Sequence, residues 1–174
     1  MYDTFGAQLF GTMYDVSITG TNSAVCTGLF FLGNDEVILK TNNGGTNWDY
    51  ASINDTVPLL RYILSVDKSG VNMVAVGNNG RIAKSTNSGN TWTFVSSGTS
   101  EVINDVKYFS TDTLFATGEN VILKSVNGGN TWSLMNITGS HHSITGSHNV
   151  VYVGVEYSSI MKKSVNFGST FSTI

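Results

Sequence analysis

The chain has 174 residues, 40% hydrophobic and 12% charged, and Ser, Thr, Asn and Gly together account for 78 of them. Helix formers are scarce and the apolar residues lean to Val, Ile, Phe, Tyr and Trp, which fit a pleated surface, so an all-β domain is expected and a helical one excluded. A net charge of −3 provides no field for a phosphate backbone, which removes nucleic acid as a partner, and 11% aromatic content argues against disorder.

Residues 1–20 hold no Lys or Arg and no unbroken apolar run, so neither a secretion signal nor a membrane span is expected there. Residues 1–12, with Leu9 and Phe10, precede the first repeat. They are expected to close a ring or to dock on a partner, because an unpaired strand edge invites one. From residue 13 onward the chain divides into four units, at about 13–53, 54–98, 99–138 and 139–174.

Each unit reads as four short strands. In the first these are 14–18, 25–31, 37–41 and 48–52; in the second 60–66, 73–77, 81–85 and 92–96. The third gives 102–109, 113–118, 121–125 and 132–136, and the fourth 142–145, 150–155, 160–164 and 171–174. Cys26 lies in the first unit between strand-forming neighbours and is expected as a buried thiol, not a nucleophile. Asp35 and Glu36 are read as solvated residues of the turn that follows.

The units are tied together by one nine-residue box. It is written Lys40-Thr-Asn-Asn-Gly-Gly-Thr-Asn-Trp48, Lys84-Ser-Thr-Asn-Ser-Gly-Asn-Thr-Trp92, Lys124-Ser-Val-Asn-Gly-Gly-Asn-Thr-Trp132 and Lys163-Ser-Val-Asn-Phe-Gly-Ser-Thr-Phe171. The aromatic ends are 44, 40 and 39 residues apart, the period of a four-stranded propeller blade. The fold class expected is therefore a small all-β propeller of about four four-stranded blades.

The box is read as a hairpin turn. The carbonyl oxygen of Asn43, Asn87, Asn127 or Asn166 accepts backbone N–H groups across the loop, while Gly45, Gly89, Gly129 or Gly168 adopts φ > 0. The ring of Trp48, Trp92, Trp132 or Phe171 tucks beneath. Two places before each Lys stands Ile38, Ile82, Ile122 or Met161, on the same strand face. This apolar residue is expected to pack between blades, with the Lys stem over a neighbouring ring and its ammonium in water.

These boxes resemble the Asp-box, or BNR, repeat, with Asn in place of its Asp. That exchange keeps the acceptor but removes the carboxylate Ca²⁺ would prefer, so no metal is expected. The boxes are most similar to those of the photosystem II assembly and stability factor family, with the sortilin-type receptors as another group sharing the repeat. The first resemblance implies binding of membrane subunits.

Asp-boxes also occur in sialidases, whose site needs three arginines, and this chain has only Arg61 and Arg81. Its twelve acids are scattered rather than paired as a glycosidase requires, and neither a Gly-x-Ser-x-Gly elbow nor a phosphate loop is present. No enzyme and no cofactor are therefore expected. His141, His142 and His148 share one stretch in which, with residues 140–145 as strand and 146–147 as turn, His142 and His148 would approach across a hairpin. Without a third ligand they read as polar loop positions. Tyr62, Tyr108 and Tyr157, with His142, are the ligand-contact candidates, the tyrosines equally accounted for by packing between blades.

The use expected is that of a non-catalytic binding or structural module. Its partner would be a protein or further copies of itself in an oligomer, with a glycan as a further possibility. A bacteriophage virion component ranks first, on composition, with an assembly factor, which the resemblance of the boxes implies, second and a glycan-binding lectin third. The corresponding location is the virion if phage-encoded, and otherwise the cytoplasm.

Overall fold

The computed structural model describes residues 11–30, 36–54, 62–135, 137–157 and 160–174. The expectations for residues 1–10, for Arg61 and for Asp35 lie outside this set. Four sheets follow one another along the chain, each built on four antiparallel strands. The first blade is β1 (Gly11–Gly20), β2 (Ser23–Phe30), β3 (Glu36–Thr41) and β4 (Asp49–Tyr50), paired in that order. The second begins with β5 (Ser52–Asn54) and continues with β6 (Ile63–Ser69), β7 (Asn72–Gly77), β8 (Ile82–Ser85) and β9 (Thr91–Val95). The third is β10 (Ile103–Tyr108), β11 (Leu114–Gly118), β12 (Val121–Ser125) and β13 (Ser133–Met135). The fourth is β14 (His141–Ser147), β15 (Val150–Val155), β16 (Met161–Ser164) and β17 (Ser172–Thr173).

The architecture is all-β and propeller-like, as the repeat period requires. Two local differences from the sequence reading have clear causes. The expected outer strand at 48–52 divides: Asp49–Tyr50 pairs with β3, then Ser52–Asn54 crosses over to lie parallel to β9 as a fifth strand of the second sheet. That crossover ties the first two blades together. In the fourth blade, β14 runs to Ser147 and the turn falls at His148 and Asn149, with Ser147 paired to Val150. His142 and His148 therefore lie on one strand and its turn and do not face each other across a hairpin.

The core lies between blades. Val25 and Ile38 of the first blade pack with Ile63, Val66, Met73, Ala75 and Trp92 of the second. Val74, Val76 and Ile82 of the second pack with Ile103, Val106, Leu114 and Leu123 of the third, and Phe115 and Ile122 of the third with Ile144, Val151 and Val153 of the fourth. The apolar residue two places before each Lys is buried at Ile38, Ile82 and Ile122, as expected, whereas Met161 is exposed. Strand packing runs from β1–β3 onto β6, from β6 and β7 onto β10, and from β10 and β11 onto β14. No comparable packing joins the fourth blade to the first among the described residues.

Every inner strand is bulged at the same place, between Met13 and Asp15, Ile63 and Ser65, Ile103 and Asp105, and His141 and Ser143. The first three bulges sit opposite Gly28, Gly77 and Gly118. A Cβ on Gly118 would run into the Val102 carbonyl oxygen and lie 2.8 Å from Ile103 Cα. In these three blades the bulge leaves no room for a side chain on the partner strand, whereas in the fourth His141 pairs with Val155.

Candidate functional site

The box turns are the most regular feature of the molecule. The hydroxyl of Thr41, Ser85, Ser125 or Ser164 accepts the N–H of Gly45, Gly89, Gly129 or Gly168 at 2.9–3.0 Å. The same hydroxyl donates to the Asn side-chain oxygen at 2.8–3.0 Å. That oxygen in turn accepts the N–H four residues on, from Asn47, Thr91, Thr131 or Thr170. In the last three boxes the Asn amide nitrogen also donates to the threonine hydroxyl, at 2.8–2.9 Å. In those three boxes Asn thus supplies a donor as well as the acceptor expected of it, and both ends of its amide are engaged within the turn. Trp92 and Trp132 donate through Nε1 to the carbonyls of Gly89 and Gly129.

The box lysines do more than the sequence reading assigned them. Lys124 lies over the rings of Phe115 and Phe167 and Lys163 over Tyr152, as expected. The ammonium groups, however, bridge to the next blade. Lys40 donates to Asn90 Oδ1, Lys84 to Asn130 Oδ1 and Lys124 to the Phe167 carbonyl. The box is a link between blades as well as a turn.

The inner strands β1, β6, β10 and β14 line a central channel of about 350 Å³, walled by Asp15, Ser17, Ser65, Asp67, Asp105, Lys107 and Thr145 among others. Its acids hold successive blades together. Asp15 Oδ2 accepts the Val66 N–H at 2.9 Å, Asp67 Oδ2 the Tyr108 N–H at 2.7 Å, and Asp105 Oδ2 the Ile144 N–H at 2.8 Å. Ser65 Oγ stands between two carboxylates, 3.1 Å from Asp15 Oδ2 and 2.8 Å from Asp105 Oδ1. A hydroxyl carries one proton, so it donates to only one of them at a time. Burial pushes the Asp105 carboxyl above its ordinary range; hydrogen bonds from Ile144, Ser65 and Val106 oppose this, and the charge of Asp15 adds to it. Lys107 Nζ lies 3.2 Å from Asp67 Oδ2 and is the channel's exposed cation.

The candidates named from sequence do not come together. Tyr62 precedes β6, half-buried and edge-on to Tyr14 at 6.4 Å between ring centroids. Tyr108 packs with the core between the second and third blades; its buried hydroxyl lacks a partner, and burial followed by the nearby Asp67 raises it to about 12. Tyr157 is exposed in the turn after β15, and His142 is exposed on β14. His141 is fully buried in place of the polar loop position expected, because it occupies the strand position held by Met13, Ile63 and Ile103 in the other blades. Burial foremost, and then the charge of Lys162, lowers its pKa, with the backbone of Gly118 and Val121 opposing. Neither ring nitrogen has a hydrogen bond of good geometry. Cys26 is buried in β2, and its thiol is pushed up to about 12 by desolvation. Among the described residues no three His, Cys, Asp or Glu side chains are grouped to hold a metal ion.

The channel residues were missed in the sequence although a signal was there. Met13-Tyr-Asp15-Val16, Ile63-Leu-Ser65-Val66, Ile103-Asn-Asp105-Val106 and His141-His-Ser143-Ile144 form a second fourfold motif, large residue, any residue, Asp or Ser, then a β-branched residue.

Among solved structures the chain is similar to YCF48 bound to a D1 peptide, at 15% identity and a TM-score of 0.72, covering 95% of this chain and 55% of that one. It is similar to YCF48 from Cyanidioschyzon merolae at 16% identity and a TM-score of 0.75, covering 96% and 57%. A GH74 enzyme of Niastella koreensis gives 19% identity and a TM-score of 0.69, covering 92% and 30%. At these identities the likeness is one of fold. The chain spans little more than half the length of the YCF48 structures, and no curated protein matches it by sequence. The family model of the photosynthesis system II assembly factor YCF48 matches residues 7–155, most of the chain, and the protein belongs to that family of BNR-repeat propellers.

Proposed function

We propose that the protein is a non-catalytic propeller of the assembly-factor type, which holds a polypeptide segment of a subunit while a larger complex is put together. The observation that carries this is family membership over residues 7–155. A solved YCF48 structure contains a D1 peptide, and what is carried over is the class of ligand, a segment of polypeptide, not its identity. Of the three uses expected from the sequence, membership favours the assembly factor over a virion component or a lectin.

The channel chemistry supports a binding role over hydrolysis. A glycosidase keeps two carboxyl groups free on either side of a sugar bond. Here Asp15 and Asp105 are engaged by backbone N–H groups of the next blade, and Ser65 occupies the space between them. Asp67 is engaged likewise, by the Tyr108 N–H and by Lys107, which leaves the exposed Lys107 as the charge at the channel wall most open to a ligand.

The test is a peptide array of exposed segments and termini from the membrane-complex subunits of the source genome, followed by fluorescence anisotropy on the hits. Saturable binding of a defined segment, weakened severalfold by the neutral Lys107→Gln with the chain still folded by its melting curve, is the expected result. Absence of any binding segment, or turnover of a β-glucan by the purified chain, would overturn the reading.

A further inference from the structure

Ser65 touches two other blades through one hydroxyl. Its Oγ, buried on β6, stands 3.1 Å from Asp15 Oδ2 on β1 and 2.8 Å from Asp105 Oδ1 on β10. Both separations are within reach of a hydrogen bond, and each such bond between oxygens needs a proton of its own. The hydroxyl supplies one. Backbone N–H groups do not supply the other, because those of Val16, Val66, Val106 and Ile144 donate straight to carboxylate oxygens. With both acids ionised, one of the two contacts would set a hydroxyl lone pair against a carboxylate oxygen in a place largely closed to water, where an unbonded polar contact is costly.

We propose that this row of three side chains holds a second proton, on Asp105: the neutral carboxyl donates through Oδ1 to Ser65 Oγ, and the hydroxyl donates onward to the Asp15 carboxylate. Both contacts are then bonded, and the second blade is tied by side chains to the first and to the third at once. When Asp105 gives up its proton to solvent, the hydroxyl turns to the new carboxylate, the nearer of the two at 2.8 Å, and the bond to Asp15 is lost. Ser65 is thus a rotor whose direction one proton sets. Losing that proton also adds a negative charge to a channel that already holds Asp15 and the Asp67–Lys107 pair.

The surroundings place the proton on Asp105. Burial raises its carboxyl and the charge of Asp15 adds to this, against the bonds from Ile144, Ser65 and Val106. The other charged groups facing the channel are Asp67 of β6 and Lys107 of β10, and these pair with each other at 3.2 Å. From β14 come Ile144 and Thr145; of the titratable residues on that strand, His141 is buried at the bulge and His142 is exposed. A folded chain that holds this proton more tightly than the unfolded one gains stability that is fully present below the ordinary value of 3.8 and is lost as the pH rises through the raised folded value. The link between the first three blades therefore tightens in acid.

Carbon-13 NMR of the chain labelled at aspartate Cγ, followed across a pH titration, reads the proton directly. The Asp105 resonance is expected to titrate with a midpoint above 3.8, and the Asp15 resonance to step at the same pH, as the hydroxyl leaves it. Ser65→Thr keeps a hydroxyl and is expected to keep the step at Asp15, whereas Ser65→Ala is expected to lose it. A wild-type Asp105 midpoint at or below 3.8 overturns the proposal, and that measurement needs no variant to fold. An Asp15 resonance without the step in the wild type overturns it too. So does a step that persists undiminished in Ser65→Ala, which would show the charge of Asp105 acting through space and not through the hydroxyl.

Discussion

Gly168, in the last box, lies directly against the ring of Phe115 in the preceding blade: a Cβ added to the glycine would stand 2.5 Å from Cε1 and 2.8 Å from Cζ. Its φ of 80° is one a side chain rarely adopts, and its N–H donates to Ser164 at 2.9 Å. Turn conformation and packing between blades therefore ask for glycine at the same atom. Gly89 and Gly129 repeat the arrangement against Val25 and Val74.

Gly168→Ala is expected to destabilise by roughly 1–3 kcal/mol through overpacking, with about 1 kcal/mol more from the left-handed backbone. Gly44→Ala, at φ 70° with open space around it, incurs only the second term. Urea denaturation of the two variants checks this, and equal losses would show that the turn alone sets the requirement.

The four box aromatics are equivalent in sequence but not in burial. Trp92 is fully buried between the first two blades and donates from Nε1 to the Gly89 carbonyl at 3.0 Å, while Phe171 is half-exposed. Trp92→Ala is expected to cost about 3–5 kcal/mol, and Phe171→Ala distinctly less. Thermal melts followed by near-UV circular dichroism separate the two.

Asn127 accepts from the Thr131 N–H at 2.9 Å and from Ser125 Oγ at 3.0 Å, and donates to Thr131 Oγ1 at 2.8 Å. Asn127→Asp keeps both acceptor bonds, and the threonine hydroxyl turns to donate, so stability changes by less than about 1 kcal/mol. Asn127→Leu leaves the turn without its acceptor and costs about 1–3 kcal/mol. An Asp variant as damaging as Leu would show that the amide donor, not the acceptor, holds the turn.

What was legible in the sequence follows from what repeats in its local chemistry. The box carries Ser or Thr, Asn, Gly and an aromatic at fixed spacing because one turn needs all four, so blades and turns could be placed from residues alone. Lys124 looked like a solvated cation because its acceptor, the Phe167 carbonyl, belongs to the next blade and no local pattern announces it. Asp105 looked like a scattered acid for the same reason, its partners Ser65 and Ile144 being 40 and 39 residues away. Ser52, expected at the end of the first blade's outer strand, belongs instead to a strand of the second sheet, because a three-residue strand carries too little alternation to show which blade it joins. His141 was read from its polar neighbours, whereas the strand position, apolar in the other blades, decides its burial.

That burial makes His141 a source of acid sensitivity. Desolvation first, and then Lys162, holds its folded-state pKa below the ordinary value of 6.5. Above 6.5 the ring is neutral in both folded and unfolded chains and adds no pH dependence. As the pH falls below 6.5 the unfolded chain takes up a proton that the folded one refuses, so stability is lost progressively until the lowered folded value is reached, and then levels off. His141→Met restores the side chain found at the same place in the first blade, at Met13, and removes the two unpartnered ring nitrogens. Equilibrium denaturation at pH 7.5 and at about pH 5 is expected to show a fall for the wild type that is clearly smaller in the variant. Equal falls in both would place the acid sensitivity elsewhere in the molecule.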